Sequence, residues 1–208
     1  MKYSYTLFVF MILITWTAAC ASSPQREKKI LETTREEIKT YEEYLVKPEQ
    51  YTTNGATYHE KYKPYLIGVA RTVTTDLNLS VQKNSIGFYF DKKENRREKL
   101  FLGLDIFIPV DPSLKGASYE HIASAIMEAH LKDILAVVNS CATVLEEKEV
   151  VGAVIGFMWD SAGSRESISI WVDKTDAAML ENMKLTLKEV VIRSFITNTA
   201  GKIIRLPL

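Results

Sequence analysis

Cysteine is scarce in this chain, whose 208 residues include only Cys20 and Cys141. So few cysteines exclude the disulfide-dense scaffolds of many small secreted proteins, and a hydrophobic core has to stabilise the fold. The hydrophobic content of 47% is sufficient for one sizeable domain. Because Cys141 lies in an apolar run between Val138 and Val144, we interpret it as a buried side chain rather than a reactive thiol.

An excess of charge of either sign is also missing. The chain contains 26 lysine and arginine residues and 26 aspartate and glutamate residues. A protein that binds nucleic acid needs a strong positive field, and this balance does not supply one. We therefore expect no nucleic-acid partner.

The motifs of known catalytic sites are absent from the sequence, which has no Gly-x-Ser-x-Gly, His-Glu-x-x-His, phosphate-loop or Cys-x-x-Cys pattern. His121 and His130 share one predicted helix, but they are nine residues apart, too far to bind one metal ion. Asp105 and Asp173 occupy equivalent positions in two predicted hairpins and could pair for acid–base chemistry, although strand-end aspartates are commonly surface residues. We expect a protein that is not an enzyme and holds no cofactor and no metal.

The N-terminus carries an uncharged apolar run at residues 3–16, which follows Lys2 and precedes the small residues 17–19. A short basic start, an apolar stretch and a small-residue exit predict a signal peptide over residues 1–19. The run is too short to cross the roughly 30 Å core of a bilayer comfortably as a permanent helix. The sequence thus predicts an exported protein.

The residues that end this segment, Thr-Ala-Ala-Cys at 17–20, resemble the lipobox of bacterial lipoproteins. Thr17 stands where that class usually has an apolar residue. The resemblance implies that Cys20 becomes the first mature residue and carries acyl chains such as palmitate, which anchor the protein to a membrane of the cell envelope. We expect the outer membrane rather than the inner one, with the periplasmic or external side left open. The alternative is cleavage after Ala21, which would discard Cys20.

The segment before the main domain is predicted to contain a polar tether at residues 20–27 and then, over residues 28–64, a helix and a loop. Apolar side chains recur at helical spacing as far as Leu45. Pro48 and Pro64 are helix breakers, and they favour an irregular, tyrosine-rich segment between them.

Residues 65–208 are predicted to form an α+β domain, because alternating and helical apolar patterns follow one another there. The predicted elements are a strand, a hairpin, a helix, a second hairpin and a second helix, at residues 65–73, 85–108, 119–145, 150–173 and 175–197. A short strand near the C-terminus completes the series.

The two hairpins share the pattern Ile-Gly-Phe-x-aromatic-Asp, at residues 86–91 and 155–160. The pattern predicts a duplicated β-β-α unit. Together the elements predict an antiparallel sheet of about five or six strands with two long helices on one face.

The predicted outer face of this sheet is unusual because it is apolar. Its candidate interaction residues are Tyr89, Phe101, Phe107, Met158 and Trp171. A sheet with one solvated face alternates apolar and polar residues, so these side chains need a cover. Either the N-terminal helix or the tyrosine-rich loop covers them, or a protein partner, a lipid or an apolar ligand docks there.

We therefore predict a lipid-anchored envelope protein that acts as a non-catalytic interaction or assembly module with a protein partner. The alternative is a small-ligand or lipid-binding domain with an apolar pocket between sheet and helices.

Overall fold

The structure, a computed structural model, describes residues 22–32, 35–51, 53–92, 94–161 and 163–206. The predicted signal peptide and Cys20 lie outside these residues. The helices are α1 (Ser22–Leu31), α2 (Arg35–Tyr41), α3 (Thr53–Arg71), α4 (Tyr119–Asn139), α5 (Ala142–Leu145), α6 (Lys174–Glu181) and α7 (Leu187–Arg193). The strands are β1 (Ser80–Val81), β2 (Gly87–Asp91), β3 (Arg96–Phe107), β4 (Val150–Ser161), β5 (Ser164–Asp173) and β6 (Phe195–Asn198).

The strands form one six-stranded sheet in the described part of the chain. β3, β4, β5 and β6 lie side by side in that order, and β1 and β2 both pair with the free edge of β3. The predicted α+β class is confirmed. The sheet is mixed rather than purely antiparallel, since β3 and β4 run parallel. The long crossover through α4 permits this parallel pairing, whereas a tight turn would have required an antiparallel one.

The order of hairpin then helix occurs twice, with β2 and β3 before α4 and β4 and β5 before α6. In both hairpins the first strand lies on the same side of the second strand, yet β2 and β4 point in opposite directions because β3 and β4 are parallel. Both helices lie on one face, where the Asn139 side chain donates a hydrogen bond to the Ala177 carbonyl. The two units therefore have opposite handedness, and the prediction of a duplicated, superposable β-β-α unit is wrong.

The main core lies between the inner face of the sheet and the helices. Alternate strand residues such as Leu102, Phe157 and Ile170 are fully buried there, together with Met127 and Leu131 of α4. The alternation predicted from the sequence thus has the correct phase in β3, in β5 and in β4 from Ala153 onward. Val151, predicted to point inward, instead packs with the outer cluster, because the register shifts at this point.

The N-terminal helix packs on this helical layer. α1 contacts α3, and Ile30 is buried against Gly68, where an added Cβ would come within 2.5 Å of the Ile30 carbonyl oxygen. Residues 22–27, predicted as part of a polar tether, are already helical. Glu27 explains the docking of α1, because its carboxylate accepts hydrogen bonds from the Thr143 amide and hydroxyl at 3.2 and 2.6 Å.

The predicted loop before residue 64 and the predicted strand at 65–73 are both wrong, because α3 spans this region. Pro64 lies inside the helix and is accommodated by a kink at Tyr62, whose φ and ψ are −113° and 16°. Tyr62, Leu66, Val69 and Val73 are buried at helical spacing. A short apolar run cannot distinguish helix from strand by itself, and here burial of one helical face decided the outcome.

The prediction of one continuous helix at 175–197 is also wrong, because the chain forms α6, a turn, α7 and then β6. The turn contains Met183 in the left-handed region at φ 55°. Thr186 and Glu189 then form a reciprocal capping box that starts α7. The pattern Thr-x-x-Glu was visible in the sequence, but the continuous apolar spacing concealed it.

Candidate functional site: the outer face of the sheet

The five candidate interaction residues all lie on the face of the sheet that points away from the helices. Their cross-strand partners establish this, since directly paired residues share a face. Tyr89 pairs with Phe101, and Phe107 pairs with Met158. Trp171 pairs with Val154 on one side and with Phe195 on the other. We call the apolar side chains of this face the outer layer, which comprises Tyr89, Phe101, Phe107, Val154, Met158, Trp171 and Phe195.

The centre of the outer layer is a small second core. Phe101 and Trp171 are only 1% and 6% exposed, and their rings meet edge to face with centroids 5.1 Å apart. Val154 completes the buried cluster, and Tyr89 and Phe195 pack around it while remaining half-buried. Phe107 and Met158 are also half-buried. The accessible part of the outer layer is therefore formed by Tyr89, Phe107, Met158 and Phe195.

The N-terminal helix does not provide the predicted cover. α1 and α2 pack against α3 on the opposite side of the sheet. The tyrosine-rich segment reaches only the margin of the outer face, where Tyr51 lies over Gly87 of β2. Within the described residues, the outer layer is thus covered chiefly by its own side chains.

Glycines provide the space in which these side chains lie flat on the sheet. A Cβ added to Gly103 would come within 2.6 Å of the Tyr89 ring. A Cβ added to Gly152 would come within 2.8 Å of the Phe101 ring, which crosses β4 at this point to reach Trp171 on β5. At Gly156 the group that lies over the backbone is the Asp105 carboxylate. The outer layer is consequently thin, because its largest rings lie along the sheet.

Asp105 is the exceptional member of this face. It pairs with Gly156 on β4 and lies between the rows that contain Gly103 and Phe107. Its backbone is well bonded, since its amide donates to the Ser85 hydroxyl at 3.1 Å and its carbonyl accepts from the Gln82 amide at 2.8 Å. The described residues donate no hydrogen bond to its carboxylate, and partial burial raises the pKa of this group above its ordinary value.

The neighbouring hydroxyls do not compensate the Asp105 charge. Tyr89 donates its hydroxyl to the Ser85 carbonyl at 2.6 Å, and Tyr51 is bonded to His59 Nδ1 at 2.8 Å. Burial raises the pKa of Tyr89, and the negative charge of Asp105 adds to this effect. Lys92 lowers the pKa of the Asp105 carboxyl by its charge but does not reverse the upward shift due to burial.

Arg165 is a cation at the margin of the outer layer. Its guanidinium carbon lies 5.2 Å from the centroid of the Phe107 ring, a cation–π arrangement. Its Nε atom pairs with the Asp160 carboxylate at 3.1 Å. The contacts of Arg165 are thus with Phe107 and Asp160 rather than with Asp105.

Asp105 and Asp173, which the sequence suggests as a possible acid–base pair, are not neighbours. Asp173 pairs with Gly152, four residues along β4 from the Gly156 partner of Asp105. The relevant signal was the odd position number of Asp105 in β3. Asp105 stands between the inward Leu104 and Ile106, just as Phe101 and Phe107 stand next to buried residues. That parity assigns Asp105 to the outer face, but the missing hydrogen-bond partner could be known only from the structure.

Other residues considered for chemistry are dispersed. Cys141 is buried, as predicted, and burial raises the pKa of its thiol to about 12. Burial lowers the pKa of His130. Among the described residues, no group of three histidine, cysteine, aspartate or glutamate side chains is arranged to hold a metal ion.

Four surface grooves are lined by helices and their connections. The most highly charged has a volume of about 480 Å³ and is lined by four lysines together with Glu42, Glu43, Glu60 and His59. Two of its lysines form ion pairs, Lys63 with Glu42 and Lys83 with Glu43. None of the four grooves is enclosed between the sheet and the helices. In the part of the chain that the structure describes, no helix is both long and apolar enough to span a bilayer.

Comparisons with known proteins add no relative: no family model matches the chain, and no significant match exists among curated proteins or solved structures.

Proposed function

We propose that the protein is an exported, lipid-anchored protein of the cell envelope that acts as a non-catalytic interaction module, with the outer layer as its docking surface for a protein partner. The observation that carries this proposal is the apolar face itself. Aromatic rings in a cluster give large contact areas with little conformational freedom to lose, and they anchor many protein interfaces. A buried pair, Phe101 and Trp171, supports the more accessible Tyr89, Phe107 and Met158.

The position of α1 supports a protein partner rather than the bilayer as the occupant. Glu27 is fixed to Thr143 on the helical side of the molecule. Cys20 precedes Glu27 by seven residues, so an acyl anchor on Cys20 lies within about 25 Å of that contact even if the intervening chain were extended. We propose that this short connection keeps the membrane on the helical side, so that the outer layer is free for a protein partner. We expect the anchor to be in the outer membrane.

The anchor is tested by Cys20→Ser. The serine variant cannot be acylated at this position, so it should move from the membrane fraction to the soluble exported fraction, and the mature wild-type protein should carry the mass of acyl chains. Membrane association of the variant together with an unacylated wild-type mass would contradict the lipid anchor.

The docking surface is tested with a matched pair of methionine variants. Met158→Glu places a charge on the accessible part of the outer layer, and Met183→Glu places the same charge on an 88% exposed side chain between α6 and α7. Proteins that co-purify with the wild type in mild detergent should be retained by Met183→Glu and lost by Met158→Glu. Both variants should keep the wild-type circular dichroism spectrum.

The proposal fails if Met158→Glu folds and retains every partner that the wild type retains. Loss of the same partners from both methionine variants would also oppose it, because the charge would then act independently of the outer layer.

A further inference from the structure

Asp105 brings a negative charge into a largely apolar surface, where Lys92 is the described residue whose charge favours the carboxylate, without a hydrogen bond to it. Its carboxylate lies over the backbone of Gly156, and the described residues donate no hydrogen bond to it. An uncompensated carboxylate in apolar surroundings costs folding free energy, which is why partly or fully buried charges in proteins are generally paired. An unpaired group at a candidate interface therefore suggests that its partner group belongs to another molecule.

The surroundings of Asp105 define what that group should be. The rings of Tyr89 and Phe107 lie on β2 and β3 on either side of the carboxylate, and Met158 lies beyond it on β4. A guanidinium or ammonium group can pair with a carboxylate while its aliphatic stem packs against apolar side chains. Arginine fits best, since its planar group also stacks on aromatic rings and binds carboxylates through two parallel hydrogen bonds.

We infer that Asp105 is the docking point for an arginine or lysine side chain of the protein partner, which enters the outer layer between Tyr89 and Phe107 and pairs with the carboxylate over Gly156. The inference rests on the proposed function, because it identifies the chemistry of the partner that binds the outer layer. The partner surface is apolar around one central cation. A second copy of this chain is disfavoured, since two outer layers placed face to face across a two-fold axis bring two Asp105 carboxylates toward each other.

The raised pKa of Asp105 is consistent with this assignment. A cation that pairs with the carboxylate stabilises its charged form and so lowers its pKa. Binding of the partner should therefore release a proton when the pH lies between the pKa values of Asp105 in the bound and the free protein, and affinity should increase as the pH rises through this interval.

The test uses a phage-displayed random peptide library as the probe, selected against the full-length protein in mild detergent. Peptides that lose binding to Met158→Glu but not to Met183→Glu are assigned to the outer layer. We expect these peptides to contain one arginine or lysine flanked by apolar residues. The strongest is then synthesised with its arginine and, as a neutral isostere, with citrulline; if it carries lysine, arginine is placed at that position.

The two peptides and two proteins form a double-mutant cycle. Wild-type protein should bind the arginine peptide at least about tenfold more tightly than the citrulline peptide, and Asp105→Asn should reduce this ratio to about one. Asp105→Asn is nearly isosteric, and its melting curve verifies that the fold is intact.

The outcomes separate the inference from the proposed function. Peptides that bind the outer layer without a basic residue, or that bind Asp105→Asn as tightly as the wild type, overturn the role of Asp105 and leave the docking surface in place. A selection that yields no outer-layer peptide opposes both. A dimer in sedimentation that Met158→Glu dissociates would overturn the inference in favour of self-association.

Discussion

The inner face of the sheet lies beneath a layer of helices, whereas the outer face, among the described residues, is covered chiefly by the side chains of its own strands. The inner cluster extends through all the helices that pack on the sheet, and Phe157 and Trp159 are fully buried within it. Among the described residues, the outer cluster has three buried members, Phe101, Val154 and Trp171. Phe157 and Phe101 are almost equally buried, yet Phe157 belongs to the large inner cluster and Phe101 to the small outer one.

The carboxylates on the two sides of the molecule also differ in their hydrogen bonding and in the direction of their pKa shifts. Glu27 on the helical side accepts hydrogen bonds from Thr143 and Tyr65, and the Thr143 hydroxyl contributes most to lowering the pKa of this glutamate. Asp105 on the outer side receives no hydrogen bond from the described residues, and burial raises its pKa. Among the described residues, the Glu27 carboxylate thus receives hydrogen bonds from its own chain, whereas no described residue donates one to the Asp105 carboxylate. The following predictions test this comparison.

The largest effect is expected from truncation of matched phenylalanines on the two faces. Phe157→Ala should lower the free energy of unfolding by about 3–5 kcal/mol, because it leaves a cavity that the surrounding helices and strands cannot close. Phe101→Ala should cost less, about 2–3 kcal/mol, since Tyr89 and Trp171 can move into the vacated space at the surface. Urea denaturation of both variants measures the difference. Equal costs at the two sites would show that the outer layer is as constrained as the main core.

A smaller effect of opposite sign is expected for Asp105→Asn. At pH 7 the variant should be more stable than the wild type by about 1–2 kcal/mol, because it removes a largely buried charge to which no described residue donates a hydrogen bond. The pKa of Asp105 is raised in the folded state, so its protonated form favours folding below the ordinary value of 3.8, and this contribution is lost as the pH rises through the folded pKa. The advantage of asparagine should therefore disappear in acid. Thermal denaturation between pH 3 and pH 7 follows it, and an advantage that is constant with pH would contradict the assignment.

The smallest effect is expected for Glu27→Gln, with the opposite pH dependence. The lowered pKa of Glu27 means that the ionised side chain stabilises the fold above its ordinary value of 4.5, and that this contribution is lost as the pH falls through the folded pKa. At pH 7 the variant should lose less than about 1 kcal/mol, because solvent screens this partly exposed contact. The same thermal series measures it. A glutamine variant that gains stability at neutral pH would break the contrast between the two carboxylates.

The sequence was sufficient for β2, β3, β4 and β5, which bear the five candidate residues, but not for β6, whose first residues it assigned to a helix. The alternation of Leu100, Leu102, Leu104 and Ile106 specified which side chains of β3 point inward, and the odd-numbered Phe101 and Phe107 therefore had to point outward. The relative direction of the strands could not be derived in the same way. Alternation is the same in a parallel and an antiparallel pair, so the parallel alignment of β3 and β4 and the handedness of the two hairpins could not be derived from it.

Helical regions were less predictable because local signals competed with burial. Pro48 and Pro64 indicated a loop, but the buried face of α3, which includes Tyr62 and Leu66, maintained a kinked helix. The missing donor to Asp105 was not predictable either. Hydrogen-bond satisfaction depends on how residues distant in sequence are placed, and no pattern within β3 records it.

The path of Phe101 across Gly152 has a consequence for how the protein folds. β4 and β5 pair through ten residues on each strand and are joined by a short turn, so this hairpin closes a small loop and can form within microseconds. Residues 108–149 separate β3 from β4, so the parallel pairing of these two strands closes a long loop. Such long-range pairing is slow. The Phe101 and Trp171 rings belong to β3 and β5 and meet only when both strands flank β4. Their contact is therefore a late event, and the fluorescence of Trp171 should report completion of the sheet rather than formation of the hairpin that carries it.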